Sequence, residues 1–121
     1  METIDTDFIH ITILDERTVL VEALDGVEIN LEKSRLANNL IKERMGGNYG
    51  MIIYRKADYS IVPVDVYKVL NDIETLKAIA IVVPKARNFL PIQTEKTLFR
   101  GELEPFKTIK DACEWLEGLN F

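Results

Sequence analysis

The sequence is poor in the residues that build most catalytic and metal centres. Among 121 residues it has one histidine, His10, and one cysteine, Cys113. A single cysteine excludes an intramolecular disulfide and a multi-thiolate metal site within one chain. His10 falls on the polar side of an alternating segment, and no nucleophile or orienting carboxylate can be assigned to it. We therefore expect no enzymatic activity, no catalytic residue, no metal site and no cofactor.

Long apolar runs and an excess of positive charge are also missing. The longest apolar runs, Ile61–Val64 and Ala78–Pro84, are far shorter than the roughly 20 residues of a membrane helix. The first ten residues carry acids where a secretory signal has a basic region. The net charge is -5, which disfavours nonspecific binding to nucleic acid or to anionic lipid. These patterns predict a cytoplasmic protein with no transmembrane segment and no nucleic-acid partner.

The apolar residues that are present predict a strand pair followed by a helix. The segment Ile9–Ile13 has the period of two that is typical of a half-buried strand, and Val19–Ala23 repeats it. The two strands are expected to form an antiparallel hairpin. Apolar residues within Asn30–Met45 follow helical spacing, and we expect the Gly46-Gly47 pair to end that helix.

The middle of the chain alternates strand and helix. The segment Tyr49–Arg55, "YGMIIYR", is apolar on both parities, as expected of a strand covered on both faces. Pro63 stands where a helix would begin, since its fixed φ suits the first turn. The segment Lys77–Val83, "KAIAIVV", is a second buried strand. This order predicts a parallel crossover between the two strands.

The last third of the chain predicts a helix, a strand and a helix. Pro91 either starts a helix or kinks a longer one that begins near Pro84, and we prefer the first interpretation. A short strand over Leu103–Phe106 follows, and Thr108 is placed to cap the final helix. Together the elements predict a single α/β domain over residues 1–121. Its mixed sheet is expected to have four or five strands, with helices mainly on one face.

Three stretches carry a resemblance to a known family: "YGMIIYRKADYSIVPVDVYKVL", "LKAIAIVV" and the closing "FKTIKDACEWLEGL". In the last of these, Phe106, Ala112, Trp115 and Leu116 are the most telling residues. The chain from Phe8 onward resembles the STAS-like, or SpoIIAA-like, proteins related to anti-sigma-factor antagonists. The resemblance implies the mixed-sheet fold and a role in regulation through protein binding.

The sigma-regulating branch of that family implies a phosphorylatable serine that follows an aspartate where the helix after the central strand begins. The corresponding region here, Tyr59–Asp65, reads "YSIVPVD" and has no Asp-Ser pair. Ser60 lies upstream of the expected position, and we interpret it as a cap for backbone N–H groups before the helix. Tyr59 is interpreted as a side chain that closes the turn over the core. Both remain candidate binding residues.

Four basic residues follow the two central strands. Arg55 and Lys56 follow the first strand, and Lys85 and Arg87 follow the second. If the strands are parallel neighbours, all four lie at the carboxyl edge of the sheet, where ligands of open α/β sheets bind. They are candidate binding residues for an acidic protein surface or a small anion. Alternatively, they only solubilise the loop ends.

We expect function by binding rather than catalysis, in a cytoplasmic STAS-like regulatory or protein-interaction module that lacks the usual phosphoacceptor serine motif. The alternative is a protein that binds a small ligand, such as a lipid or another apolar molecule, because some STAS-like domains are structurally likened to lipid-binding folds. Helices on one side would leave the other face or the edge hairpin uncovered, which predicts a homodimer. The turn from Arg55 to Pro63 is expected to be the functional edge. Reversing the charges of Arg55 and Arg87 should weaken binding without unfolding the domain.

Overall fold

Eight strands and four helices are present in the computed structural model, which describes residues 1–84 and 90–121. In chain order they are β1 (Glu2–Asp5), β2 (Ile9–Asp15), β3 (Thr18–Ala23), β4 (Glu28–Ile29), α1 (Leu31–Lys42), β5 (Tyr49–Tyr54), β6 (Ser60–Ile61), α2 (Pro63–Asn71), β7 (Leu76–Val82), α3 (Leu90–Leu98), β8 (Glu102–Phe106) and α4 (Ile109–Gly118).

Six of the strands form one mixed sheet in the order β1-β2-β3-β5-β7-β8. The pairs β1–β2 and β2–β3 are antiparallel, whereas β3–β5, β5–β7 and β7–β8 are parallel. The short strands β4 and β6 form a separate parallel pair beside the main sheet. The predicted hairpin and the predicted parallel crossover are both confirmed.

The central strands are buried on both faces, as their uninterrupted apolar sequence predicts. On β7, Ile79 and Ile81 face a core shared with α1, α2 and α3, while Ala78 and Ala80 face a smaller core under α4. Ala112 and Leu116 are the buried residues of α4 in that second core. Three helices therefore cover one face of the sheet, and one helix covers part of the other.

The expected number of strands was wrong, because the sheet has six strands rather than four or five. The additional strand of this sheet is β1, which lies at its edge, and the short strands β4 and β6, which were also not predicted, form a separate pair. In β1 only Ile4 is partly buried, and the remaining residues are exposed and polar. A strand with one inward apolar residue has no readable period, so pairing with β2 rather than local pattern specifies it.

Three helix ends differ in how well the sequence predicted them. The helix α1 begins as expected, since the Asn30 side chain accepts a hydrogen bond from the backbone N–H of Lys33 at 3.0 Å. It ends at Lys42, before the Gly46-Gly47 pair, and its C-terminal cap Glu43 keeps a right-handed conformation. The prediction that glycine ends this helix was wrong. The predicted cap of α4 is confirmed, because Thr108 Oγ1 accepts from the backbone N–H of Asp111 at 3.1 Å.

Candidate functional site

The carboxyl ends of β5 and β7 lie side by side, as the candidate site requires. Tyr54 is in register with Val82, and the backbone N–H of Arg55 donates to the carbonyl oxygen of Val82 at 2.9 Å. Directly after β5 the chain turns through β6 and enters α2 at Pro63, which occupies the first turn of the helix. The turn from Arg55 to Pro63 therefore lies at the edge of the sheet where ligands of α/β proteins bind.

Arg55 is a buried ion-pair partner rather than a free surface cation. Both of its terminal nitrogens donate to the two carboxylate oxygens of Glu95 on α3, in a bidentate arrangement. Its Nε donates to the Tyr59 hydroxyl at 3.2 Å. The Glu95 side chain is 3% exposed and that of Arg55 is 15% exposed. The expectation that Arg55 behaves as a surface charge was wrong. Its partner Glu95 lies 40 residues further along the chain, so no local sequence pattern indicates the pair.

Tyr67 completes this hydrogen-bonded cluster from α2. Its hydroxyl donates to Glu95 Oε1 at 2.7 Å, so the carboxylate accepts three hydrogen bonds. Burial raises the pKa of Tyr67 above its usual value, and the nearby Glu95 carboxylate raises it further. Burial also raises the pKa of Tyr59, although the Arg55 guanidinium opposes the effect. Burial by itself would lower the pKa of Arg55, but the hydrogen bonds to Glu95 raise it above its usual value. At neutral pH these three groups hold their protons. Arg55 and Tyr67 donate to Glu95, and the Tyr59 hydroxyl accepts from Arg55.

An open cleft of about 490 Å³ lies over the cluster. The turn after β5 forms one wall and α3 contributes to the other. The described residues that line it are Arg55, Ala57, Asp58, Tyr59, Ile61, Pro63, Thr94 and Glu95. Its volume lies within the range of roughly 300–1,000 Å³ that is typical of small-molecule sites.

A smaller, mainly apolar chamber of about 60 Å³ lies beneath the cleft, between the sheet and the helices α1 and α2. Its apolar walls come from the strands and from both helices, and they include Ile9, Val21, Ala23, Ile29, Ala37, Ile41, Met51, Ile53, Val66 and Leu70. The cleft and the chamber share four residues of their linings, Arg55, Tyr59, Ile61 and Glu95. The ion pair and Tyr59 therefore lie at the boundary between an outer cleft of mixed polarity and an inner, mainly apolar space.

The other predicted site residues fall in three places. Lys56 is exposed just after Arg55 and does not line the cleft. Ser60 is exposed within β6, where its backbone N–H donates to the carbonyl oxygen of Val27. The N-cap position of α2 is Val62 and has no side-chain cap, so the interpretation of Ser60 as a helix cap was wrong. The candidates Lys85 and Arg87 lie outside the described residues.

Glu95 and Tyr67 were not among the predicted site residues. Tyr67 follows the helical spacing of α2 on its buried side, so its pattern matches an ordinary core position. A signal for Glu95 did exist, since it lies three residues after Ile92 and so falls on the apolar face of the predicted helix. A carboxylate on the apolar face of a helix needs a buried partner, and that requirement could have led to Arg55.

Two features of the described residues concern metal binding and membrane insertion. Within residues 1–84 and 90–121, no group of three or more His, Cys, Asp or Glu side chains is arranged to hold a metal ion. Among the helices in the same ranges, none is both long enough and apolar enough to cross a membrane.

The fold is similar to that of a protein of known structure. No protein-family model and no curated protein sequence matches this chain. A crystal structure of an uncharacterized protein of the DUF3478 family with a SpoIIAA-like fold, from Shewanella loihica PV-4, matches it with a TM-score of 0.67. The match covers 96% of this chain and 99% of that chain, at 16% sequence identity. At this identity the similarity shows the fold alone. The SpoIIAA-like resemblance predicted from the sequence is confirmed at that level.

Proposed function

We propose that this protein is a non-catalytic regulatory module that binds a protein partner at the cleft beside the turn from Arg55 to Pro63. The observation that supports the proposal is an exposed apolar residue at the rim of that cleft. Val64 is 69% exposed and directly follows Pro63, which lines the cleft. An exposed apolar residue beside a concavity is a candidate interface contact, because the buried centres of protein interfaces are depleted of charge and more apolar than their rims.

A second exposed apolar residue supports an interface at the same edge of the domain. Leu36 on α1 is 50% exposed, and it lines a shallow groove together with Asp65, the residue after Val64. Apart from Met1, Leu36 and Val64 are the large apolar residues that the described part of the chain leaves exposed. A partner that covered Val64 and reached the groove would bury both of them.

Site-specific photo-crosslinking tests the proposal. A benzophenone amino acid replaces Val64 in the cells from which the protein derives, and crosslinked proteins are identified by mass spectrometry. The matched control carries the same group in place of Lys110, which is exposed on α4 on the opposite face of the sheet. We expect one defined partner to be crosslinked from position 64 and not from position 110.

Substitutions then separate a specific interface from adventitious capture. Val64→Asp should weaken binding of the identified partner about tenfold or more, because a carboxylate in the interface loses its hydration. Lys110→Glu should leave the affinity unchanged, and so should Ser60→Ala, since binding does not depend on phosphorylation of that serine. Equal crosslinking from positions 64 and 110, or unchanged affinity in Val64→Asp, would refute the proposed interface.

The second candidate function is binding of a small ligand, and the chamber beneath the cleft favours it. Its lining is mainly apolar, and the shared boundary with the cleft offers a route to solvent. Native mass spectrometry of protein purified from its source separates the two candidates. A retained small molecule supports the ligand-binding function, whereas a retained protein chain supports the regulatory one.

Self-association stays a prediction. It was based on an uncovered sheet face or an uncovered edge hairpin, and α4 removes part of the first reason. This helix covers part of the face that was expected to be bare, around Ala78 and Ala80 of β7. The antiparallel strand β1 leaves one exposed sheet edge, and edge strands are common sites of pairing between chains. Light scattering at tens of micromolar should detect a homodimer, and a monomer mass at that concentration would contradict it.

A further inference from the structure

The outer surface of α1 and α2 carries a furrow that consists of two adjoining grooves. One groove of about 420 Å³ lies beside the start of α2 and one of about 200 Å³ lies beside its end, and Arg35 and Asn39 line both. Because α1 joins β3 to the parallel β5 and α2 joins β5 to the parallel β7, the two helices run in the same direction on one face of the sheet. From Glu32 to Lys42 the α1–α2 furrow is roughly 15 Å long, at 1.5 Å per helical residue.

Three cations line the groove beside the end of α2: Arg35, Lys42 and Lys68. All three are exposed, and the ion pairs formed within residues 1–84 and 90–121 include none of them. The acid in the described lining is Asp72, so three positive charges and one negative charge give this groove +2 in a chain of net charge -5. Helix dipoles favour cations in the last turns, where Lys42 and Lys68 lie, but they do not account for Arg35 in the first half of α1.

The other end of the furrow is apolar and acidic. Glu32 and Asp65 line it together with Leu36, which is 50% exposed. On α1, Glu32, Leu36 and Asn39 are spaced by four and three residues, so they share the face that continues to Lys42. The furrow therefore runs from acidic through apolar to basic. The acids at this end and the net charge of -5 disfavour an anionic membrane as its occupant.

The helical walls of the furrow restrict the form of a partner. The backbone N–H and C=O groups of α1 and α2 are engaged within the helices, so an extended strand would find no sheet edge to pair with. A helix satisfies its own backbone groups, and helices dock in such grooves through apolar residues spaced by three and four. A length of roughly 15 Å corresponds to about three turns of the docked helix.

We propose that the α1–α2 furrow binds an amphipathic helix of the partner protein. The acidic residues of that helix lie toward one end, over Arg35, Lys42 and Lys68, and its apolar residues cover Leu36 and the half-buried Val69. Opposite charges placed in this way fix the direction of the docked helix as well as its position. The inference rests on the proposed protein-binding function and names the chemistry of the partner segment.

A displayed library of single-helix peptides with randomised side chains is the probe, and the intact chain is the target. We expect enriched sequences in which apolar residues are spaced by three and four and Asp or Glu cluster toward one end. A synthetic peptide of the enriched sequence is then titrated against the chain by fluorescence anisotropy. The same peptide with Asn and Gln in place of its acids should bind about tenfold more weakly, because it loses several charge pairs.

Two double variants with the same change in net charge locate the binding site. Lys42→Glu/Lys68→Glu sets acids against the acids of the peptide and should weaken its affinity by about tenfold or more. Lys107→Glu/Lys110→Glu changes exposed residues near the start of α4, on the opposite face of the sheet, and should weaken it less than about twofold. Lys42→Ala/Lys68→Ala removes the charges without adding acids, so it should give a smaller loss in a variant with no new repulsion.

The outcomes separate this inference from the function on which it rests. Enriched helices without acids, equal losses in the two charge-reversed variants, or no enriched helix would refute the docked helix. Binding to phosphatidylglycerol vesicles that Lys42→Glu/Lys68→Glu abolishes would assign the furrow to a membrane instead. A partner crosslinked from position 64 whose affinity falls in Val64→Asp but not in Lys42→Glu/Lys68→Glu would overturn the inference alone. Failure to crosslink a defined partner from position 64 would count against the proposed function itself.

Discussion

The ion pair between Arg55 and Glu95 should be a major determinant of stability, and a double-mutant cycle can measure its contribution. The cycle consists of Arg55→Met, Glu95→Leu and the double change Arg55→Met/Glu95→Leu, and Glu95→Gln is measured beside it. Glu95→Gln keeps the shape of the side chain but replaces one acceptor oxygen with an amide nitrogen that faces the donors of Arg55. Arg55→Met leaves the Glu95 carboxylate with the Tyr67 hydroxyl as its remaining donor among the described residues.

The expected magnitude follows from burial. Removing one partner of a buried pair costs about 3–5 kcal/mol, since the other charge stays desolvated. Arg55 keeps some contact with solvent, which places each single change near the lower end, about 3 kcal/mol in the free energy of unfolding. Replacing both partners with apolar residues of similar size is often nearly neutral, so the double variant should be more stable than either single variant. The coupling energy should then exceed about 3 kcal/mol.

Urea unfolding followed by circular dichroism gives the four free energies. The matched control is the exposed pair between Lys96 and Glu104, which are joined at 2.7 Å and are 46% and 41% exposed. Glu104→Gln should cost less than about 1 kcal/mol, because surface ion pairs contribute little. If Glu95→Gln cost no more than Glu104→Gln, or if the single changes were simply additive in the double variant, the buried-pair reasoning would be wrong.

Three further changes test other parts of the fold. The Tyr49 hydroxyl is buried and has no hydrogen-bond partner in the described ranges, so Tyr49→Phe should raise the free energy of unfolding by about 1 kcal/mol. Burial raises the pKa of Tyr49 to about 12, whereas an unfolded tyrosine titrates near 10, so the native state retains a proton that the unfolded state loses between these values. The free energy of unfolding of the wild type should therefore fall as the pH rises through this window. By pH 12, the Tyr49→Phe variant should have lost about 2 kcal/mol less than the wild type. Parallel pH curves for the two proteins would contradict this reasoning. Thr108→Ala should lower the free energy of unfolding by about 1 kcal/mol, because it removes a helix cap. Ser60→Ala removes no cap and should leave the free energy of unfolding nearly unchanged. Equal losses in the two variants would count against the capping assignment. Gly101→Ala should destabilise the protein by more than about 1 kcal/mol, because the new Cβ would stand 2.7 Å from the backbone oxygen of Lys77, and a neutral result would show that the strand yields freely.

The features that the sequence predicted are those with a local signal. The hairpin of β2 and β3 follows from alternation, the start of α2 from Pro63, and the cap of α4 from the hydroxyl of Thr108. Each of these signals lies within a few residues of the structure that it specifies. The parallel pairing of β5 and β7 could also be predicted, since two buried strands joined by a helix have few other arrangements.

The candidate site was predicted in position but not in chemistry. The carboxyl edge of β5 follows from topology, so the location of Arg55 could be predicted. Whether its positive charge is free or paired depends on Glu95, which contacts Arg55 from α3. A sequence shows Arg55 as a basic residue after a strand, and only the contact with Glu95 shows that its charge is neutralised and buried. Ser60 was misassigned for a related reason, because β6 pairs with the distant β4 and takes the serine out of the helix cap.

Because the cluster lies between the cleft and the chamber, substitutions there cannot separate binding from folding. Arg55→Glu would place two carboxylates together at the position of the ion pair, and the resulting repulsion and desolvation should destabilise the domain by several kcal/mol. A loss of binding in that variant would therefore say nothing about recognition. Asp58 and Thr94 line the cleft as exposed residues, and their side chains make none of the hydrogen bonds that hold the cluster together. Changes at these two positions and at Val64 should alter partner affinity while leaving the unfolding midpoint nearly constant, because exposed substitutions usually change stability by only about 0.5 kcal/mol.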